Sequence, residues 1–233
     1  MSWAILSMDG LAFIFRWVHF MAGITWIGLL YYFNFVQGSF FNETDGTTKS
    51  NCVQKLVPRA LWWFRWGAMF TLLSGLFMLL MKAHLGGWDV FKTSWGVAIL
   101  TGGAFATLMW FNVWFLIWPN QKIVIQSALQ VAQGGQALPD AANVAARAGL
   151  ASRTNVLLSL PMLFFMGAAS HLTFNVTATT NGWCIAGVVL AILAAVEFNA
   201  VKGKLGPLKT VGGVIHMGIL FTVAMYVLLE CLI

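Results

Sequence analysis

Charge is scarce in this chain. Asp, Glu, Lys and Arg make up only 9% of its 233 residues, where a soluble domain carries about 25%. That deficit excludes an ordinary water-soluble fold. Cysteine is scarce too: Cys52, Cys184 and Cys231 stand far apart, with no CxxC and no CxxCH. This excludes a thiolate metal site and covalently attached c-type haem, and gives no reason to expect a disulfide. Of five prolines, only Pro161 falls inside an apolar segment. No run of Lys or Arg accompanies the formal charge of +6, so nucleic acid is not an expected partner. The N-terminus has no basic stretch before its first apolar segment, and no cleavable signal is expected.

What fills the chain instead is apolar. Hydrophobic residues make up 60%, with 12 Trp and 19 Phe, and mean hydropathy is +0.81. About 20 apolar residues cross a bilayer as a helix. Six segments qualify, at roughly 10–37, 59–83, 94–118, 153–174, 181–201 and 209–231. Polar breaks separate them, including "GSFFNETDGTTKSNCVQK" and the Trp-Pro stop "WPNQK". The expected fold is an all-α polytopic membrane bundle in a single domain, 1–233. A helical hairpin, read from "QKIVIQSALQVAQ" and "AANVAARAGLASR" on either side of "GGQALPD", lies between the third and fourth helices on the cytoplasmic side. Lys49, Lys55, Arg59, Lys122, Arg147, Arg153, Lys202, Lys204 and Lys209 fall in or beside the odd-numbered loops, against Lys82 and Lys92 on the other side. The positive-inside rule then puts both termini in the periplasm and the protein in the inner membrane of a bacterium.

The four histidines, His19, His84, His171 and His216, all lie in or beside these spans. Ionisable groups there are costly and mark functional sites by default. At 1.5 Å of rise per residue, His19 and His216 share a level near the midplane, and His84 and His171 share one at the outer surface. Each also has a glycine three or four residues away: Gly23, Gly87, Gly167, and Gly212 with Gly213. That spacing leaves a bare helix face beside the ring. Two histidines at one depth beside bare backbone suit bis-histidine ligation of haem iron. One or two haem b groups are therefore the expected cofactor, with His19–His216 and His84–His171 as the ligand pairs. In "FRWVHFMAG" Arg16 stands one turn from His19, where it could meet a haem propionate or snorkel to headgroups. Arg16 and Arg65 are the embedded cations that could hold an anionic substrate. Glu197, near the end of the fifth span, reads either as a paired interior carboxylate or as a proton-handling group.

"HFMAGITWIGLLYYFNFVQ", "LWWFRWGAMFTLLSG", "NVWFLIWPNQK" and "ASRTNVLLSLPMLFFMGAASH" resemble the membrane part of PuuD-type urate oxidases, also called urate hydroxylases. The resemblance runs from about residue 10 to the end, and its motif positions include His19, Arg65, Trp114, Asn120 and His171. It implies a membrane oxidoreductase that oxidises urate and passes electrons to cytochrome c. Members of that family continue into a C-terminal cytochrome c domain with CxxCH, whereas the sequence given ends at Ile233. A separate cytochrome c or a quinone is then the expected acceptor. The alternative reading is a non-catalytic accessory subunit of a larger membrane oxidase or oxygenase complex. A solute transporter is weaker still, since no internal repeat is visible.

Overall fold

The computed structural model describes residues 3–233. Seven α-helices carry the fold: α1 (Met8–Glu43), α2 (Gly46–Lys55), α3 (Val57–Gly86), α4 (Ser94–Ala132), α5 (Ala141–His171), α6 (Gly182–Lys202) and α7 (Val211–Leu232). All but α2 are long and apolar enough to cross a membrane. The six expected spans are therefore present, with helices that run past several of the expected ends.

Local chemistry sets the helix ends. Ser7, Thr93, Asn181 and Thr210 each accept a backbone N–H in the first turn that follows, as good N-caps do. Gly87, with φ of +75°, ends α3 in a conformation that only glycine adopts easily. Asp45 caps α2 by accepting from the amides of Thr47 (2.8 Å) and Thr48 (3.0 Å) and from the Thr48 hydroxyl (2.6 Å). The Thr48 hydroxyl above all, with these amides, holds the exposed Asp45 carboxyl below the usual carboxylate range. The cap is thus complete above the pKa of an unfolded aspartate and is lost as pH falls through the depressed folded value. Amide-exchange protection of Gly46–Lys55, corrected for intrinsic rates, should fall on acidification in the wild type and lose that pH dependence in Asp45→Asn.

Successive spans run in alternating directions. Phe174, just past α5, donates its N–H to Ser94 at the start of α4 (2.8 Å), and Thr180, just before α6, donates to the carbonyl of Ile233 (3.0 Å). One face of the bundle thus gathers the start of α1 and the end of α7. The other gathers the segments around 43–57, 132–141 and 202–211 and carries most of the basic residues; it is called the basic face below.

The hairpin between the third and fourth spans is not a separate element. Its arms are continuations of α4 and α5, which pack on each other beyond the apolar zone. The turn is tied by the Leu138 N–H donating to Ser127 Oγ at 3.0 Å.

Helix α5 is the central post, 56% buried over its most apolar stretch against 11% for α1. It packs on α4, α6, α7 and the basic-face half of α1. Phe105 of α4 and Phe165 of α5 stack with centroids 6.5 Å apart, and Phe221 of α7 meets Phe105 edge-on at 5.8 Å. Large side chains such as Trp17, Phe198 and Trp183 point outward, with exposures of 58%, 71% and 89%, as expected where lipid is the solvent.

Lipid gives no hydrophobic drive for one helix to join another, so close packing and hydrogen bonds must do so. The α1–α3 pair closes at Gly67, where an added Cβ would sit 3.1 Å from the Trp26 amide nitrogen and 3.2 Å from the Ala22 oxygen. Gly102 plays the same part between α4 and α5, against Met166 and Met162. Backbone cannot step aside. Gly67→Val should cost about 1–3 kcal/mol and lower the unfolding midpoint in detergent. Gly28→Val, with open space around it, should leave the midpoint unchanged.

Both α1 and α4 contain one wider, π-type stretch, Tyr32–Gln37 and Asn112–Ile117. Such interruptions are rare and frequent at functional sites. In α4 it lies just before Pro119, which has no N–H for the carbonyl one turn back. Each stretch presents a buried asparagine to α5. Asn34 donates to Ser152 (2.8 Å) and Asn112 donates to Asn155 (2.9 Å).

Candidate functional site

Polar groups inside the bundle fall into two places. The smaller is around His19, in the α1–α3 interface. Ser74 donates its hydroxyl to the carbonyl of Phe70 at 2.6 Å, so its lone pair is what faces His19 Nδ1 at 3.2 Å. The tautomer that fits this arrangement has the proton on Nδ1 and leaves Nε2 with its lone pair. A hydrogen bond at one ring nitrogen, leaving the other as ligand, is how metal-binding histidines are held. An added Cβ at Gly75 would sit 3.1 Å from His19 Cε1. The bare backbone beside this ring thus comes from across the helix pair, and the sequence spacing within α1 does not show it.

Of the four histidines, His19 alone has one ring nitrogen held by a side chain, which is the arrangement a metal-binding histidine needs. The other three histidines are exposed and make no side-chain hydrogen bond among the described residues. His84 closes α3, His171 closes α5, and His216 lies on the outer side of α7. No substantial packing joins α1 to α7 or α3 to α5, so direct helix contact does not bring either expected pair together. The glycines near these histidines have local explanations in part. Gly87 makes the turn after α3, and Gly213 fits against Pro207 and Thr210 in the first turn of α7. Gly167 and Gly212 face open space. Arg16 is exposed, and among the described residues it makes no side-chain hydrogen bond or ion pair.

The larger polar region occupies the basic-face half, at the level of the two wider helix turns. Arg65, about 12 Å into α3 by helix rise, lies among three indoles. Its guanidinium carbon is 4.1 Å from the Trp118 ring centroid, 5.5 Å from Trp114 and 5.9 Å from Trp66. Among the described residues it has no carboxylate partner. The one ion pair among the described residues is the exposed Lys92–Asp89 contact at 2.7 Å. Arg65 Nε is buried without an acceptor, and so is the indole N–H of Trp114. Buried donors are normally paired. Arg65 Nε and the Trp114 N–H are therefore two donors free for an acceptor beside a caged cation. Arg153 Nη1 of α5 is likewise buried and unpaired. Asn120, by contrast, spends its amide on the Leu116 carbonyl of its own helix (2.7 Å).

Trp118, Asn112 and Asn155 were not singled out by sequence reasoning. The signal was there: three asparagines (Asn34, Asn112, Asn155) inside or beside apolar spans, and a Trp at every fourth position from 110 to 118. Among the described residues no three His, Cys, Asp or Glu converge as a metal cluster would require.

Fold and site together define a multi-pass helical membrane protein with an embedded, uncompensated arginine in an aromatic cage. A family model described as urate oxidase, N-terminal, matches residues 82–228. That is more than half of the chain, and the chain belongs to this family. The matched region holds Trp114, Trp118, Asn155, Glu197, His84, His171 and His216; His19 and Arg65 precede it. No curated protein and no solved structure matches the chain.

Proposed function

We propose that this protein is the membrane-embedded unit of an oxidoreductase that takes electrons from a small planar anion, urate by family, and hands them to a cytochrome c or a quinone. The Arg65 cage is the observation that carries this reading. Urate is flat and anionic at neutral pH. Arg65 supplies the charge and the N–H donors for its oxygens, Trp114 adds an indole donor, and the Trp faces match a flat ring. Arg16, exposed among lipid-facing side chains, has no such enclosure. The arrangement of basic residues supports an inner-membrane protein with periplasmic termini.

His19 would hold a b-type haem through Nε2, with Ser74 fixing the tautomer. Such a group supplies reversible one-electron transfer. The remaining residues bind and orient the anion and exclude water around it.

The test is a reduced-minus-oxidised spectrum of the purified protein in lipid, with dithionite and then with urate as reductant. A sharp b-type α-band with both is expected, and the haem-to-protein ratio counts the groups. A featureless spectrum from folded protein, unchanged on haem supplementation, would overturn the reading and leave a non-catalytic accessory subunit in its place.

A further inference from the structure

Two residues before Trp114, the wider turn of α4 holds a second set of unpaired atoms that anion binding does not use. Asn112 and Asn155 are both fully buried. Asn155 donates its amide N–H to the Met109 carbonyl at 2.9 Å, and a carbonyl can only accept. The Asn155 amide can therefore face only one way, and its Oδ1 must take the N–H of Asn112, at 2.9 Å. That chain of bonds fixes Asn112 in turn, leaving its Oδ1 and its second N–H free. Asn112 Oδ1 is buried and has no donor. Glu197 of α6 comes up beside this same amide. Both of its carboxyl oxygens are buried, and the Asn112 amide is the hydrogen-bonding group that reaches them.

The free Asn112 N–H can serve one carboxyl oxygen, but the other carboxyl oxygen and Asn112 Oδ1 are both acceptors and cannot satisfy each other. No cation offsets them either. Helix α6 packs on α4, α5 and α7. The basic groups of those helices are Lys122, Arg147, Arg153, His171 and His216, and α6 itself ends on Lys202; among the described residues none is within ion-pair distance of Glu197. The acid Glu230 and its neighbour Tyr226 stand at the other end of the bundle.

One hydrogen resolves the arrangement. A protonated carboxyl and a primary amide are complementary: the acid O–H donates to the amide oxygen, and the free amide N–H donates to the acid carbonyl. We infer that Glu197 is held protonated as a cyclic acid–amide pair with Asn112, making a proton-binding site in the basic-face half of the bundle. The ionised form would leave a bare charge in lipid-like surroundings and Asn112 Oδ1 orphaned, each of which is costly. The site stands whether or not Arg65 binds an anion.

Infrared spectroscopy of the full chain in lipid, labelled with carboxyl-13C glutamate, tests it. The glutamates are Glu43, Glu197 and Glu230, the first and last exposed. At neutral pH a labelled protonated-carboxyl band is expected, shifted in D2O, and absent in Glu197→Gln. If Glu197→Gln does not fold, Glu43→Gln and Glu230→Gln together should leave the band intact and assign it by elimination. A wild-type spectrum with ionised glutamate alone overturns the inference. So does a band that survives Glu197→Gln, or one that vanishes with the two exposed glutamates.

Discussion

Arg65→Gln is expected to lower kcat/KM for urate-dependent reduction of cytochrome c by roughly a hundredfold or more. Removing one partner of a desolvated charge pair costs about 2–5 kcal/mol, and a factor of ten is about 1.4 kcal/mol. Arg65→Lys keeps the charge but loses the planar fork and its stacking on Trp118, which lies 4.1 Å away; it should recover only part of the loss. Trp118→Phe weakens the cation–π contact by about 1 kcal/mol and should cost several-fold. Stability should move the other way. Arg65 is an embedded cation with no ion-pair partner, and replacing an uncompensated charge is often neutral or stabilising. An Arg65→Gln protein that melts at or above the wild-type temperature yet fails with urate would separate binding from folding. Wild-type kinetics in folded Arg65→Gln would remove Arg65 from the site.

The second large effect concerns His19. His19→Ala should abolish the haem absorbance that depends on this ligand, lowering the haem-to-protein ratio by a full equivalent in a pyridine haemochrome assay. Ser74→Ala tests the tautomer argument. It removes the acceptor of the Nδ1 proton (3.2 Å) without touching Nε2, and loss of such a partner weakens metal binding about 10–100-fold. Haem should then be present at high concentration and lost on dilution. A fully loaded His19→Ala protein would end the assignment.

The six spans were legible because hydrophobic length is a local property. The caps and turns that set the helix ends, Thr93 and Gly87 among them, show only in the structure. The site was less legible than the spans, because its contacts are long-range. His19 meets Ser74 and Gly75, more than fifty residues on, whereas spacing along the sequence reveals only glycines of the same helix. Gly87 and Gly213 are needed for turns, which shows how local spacing can suggest a face that has another cause. Arg65 could be named from composition, since any arginine in a span stands out. Its cage could not, because Trp114 and Trp118 arrive from α4 on a stretch of helix with altered periodicity. The hairpin arms were visible as amphipathic segments. Their continuity with the membrane helices was not, since the polar break in composition at Asn120 is no break in the backbone.

The central position of α5 bears on how the protein is made. It is the fourth span to leave the ribosome, and it carries the partners of Asn34 and Asn112. Until it arrives, α1 and α3 can already pair through Gly67, and Asn34 can lean on the Leu30 carbonyl of its own helix at 2.9 Å. Asn112 makes no such bond within α4. A third span alone in lipid would carry an unsatisfied Asn112 amide, so its insertion is favoured once Asn155 can pair with it. Biogenesis would then proceed in two modules, an early α1–α3 hairpin and a later core nucleated on α5, with the final two spans added as a sheath.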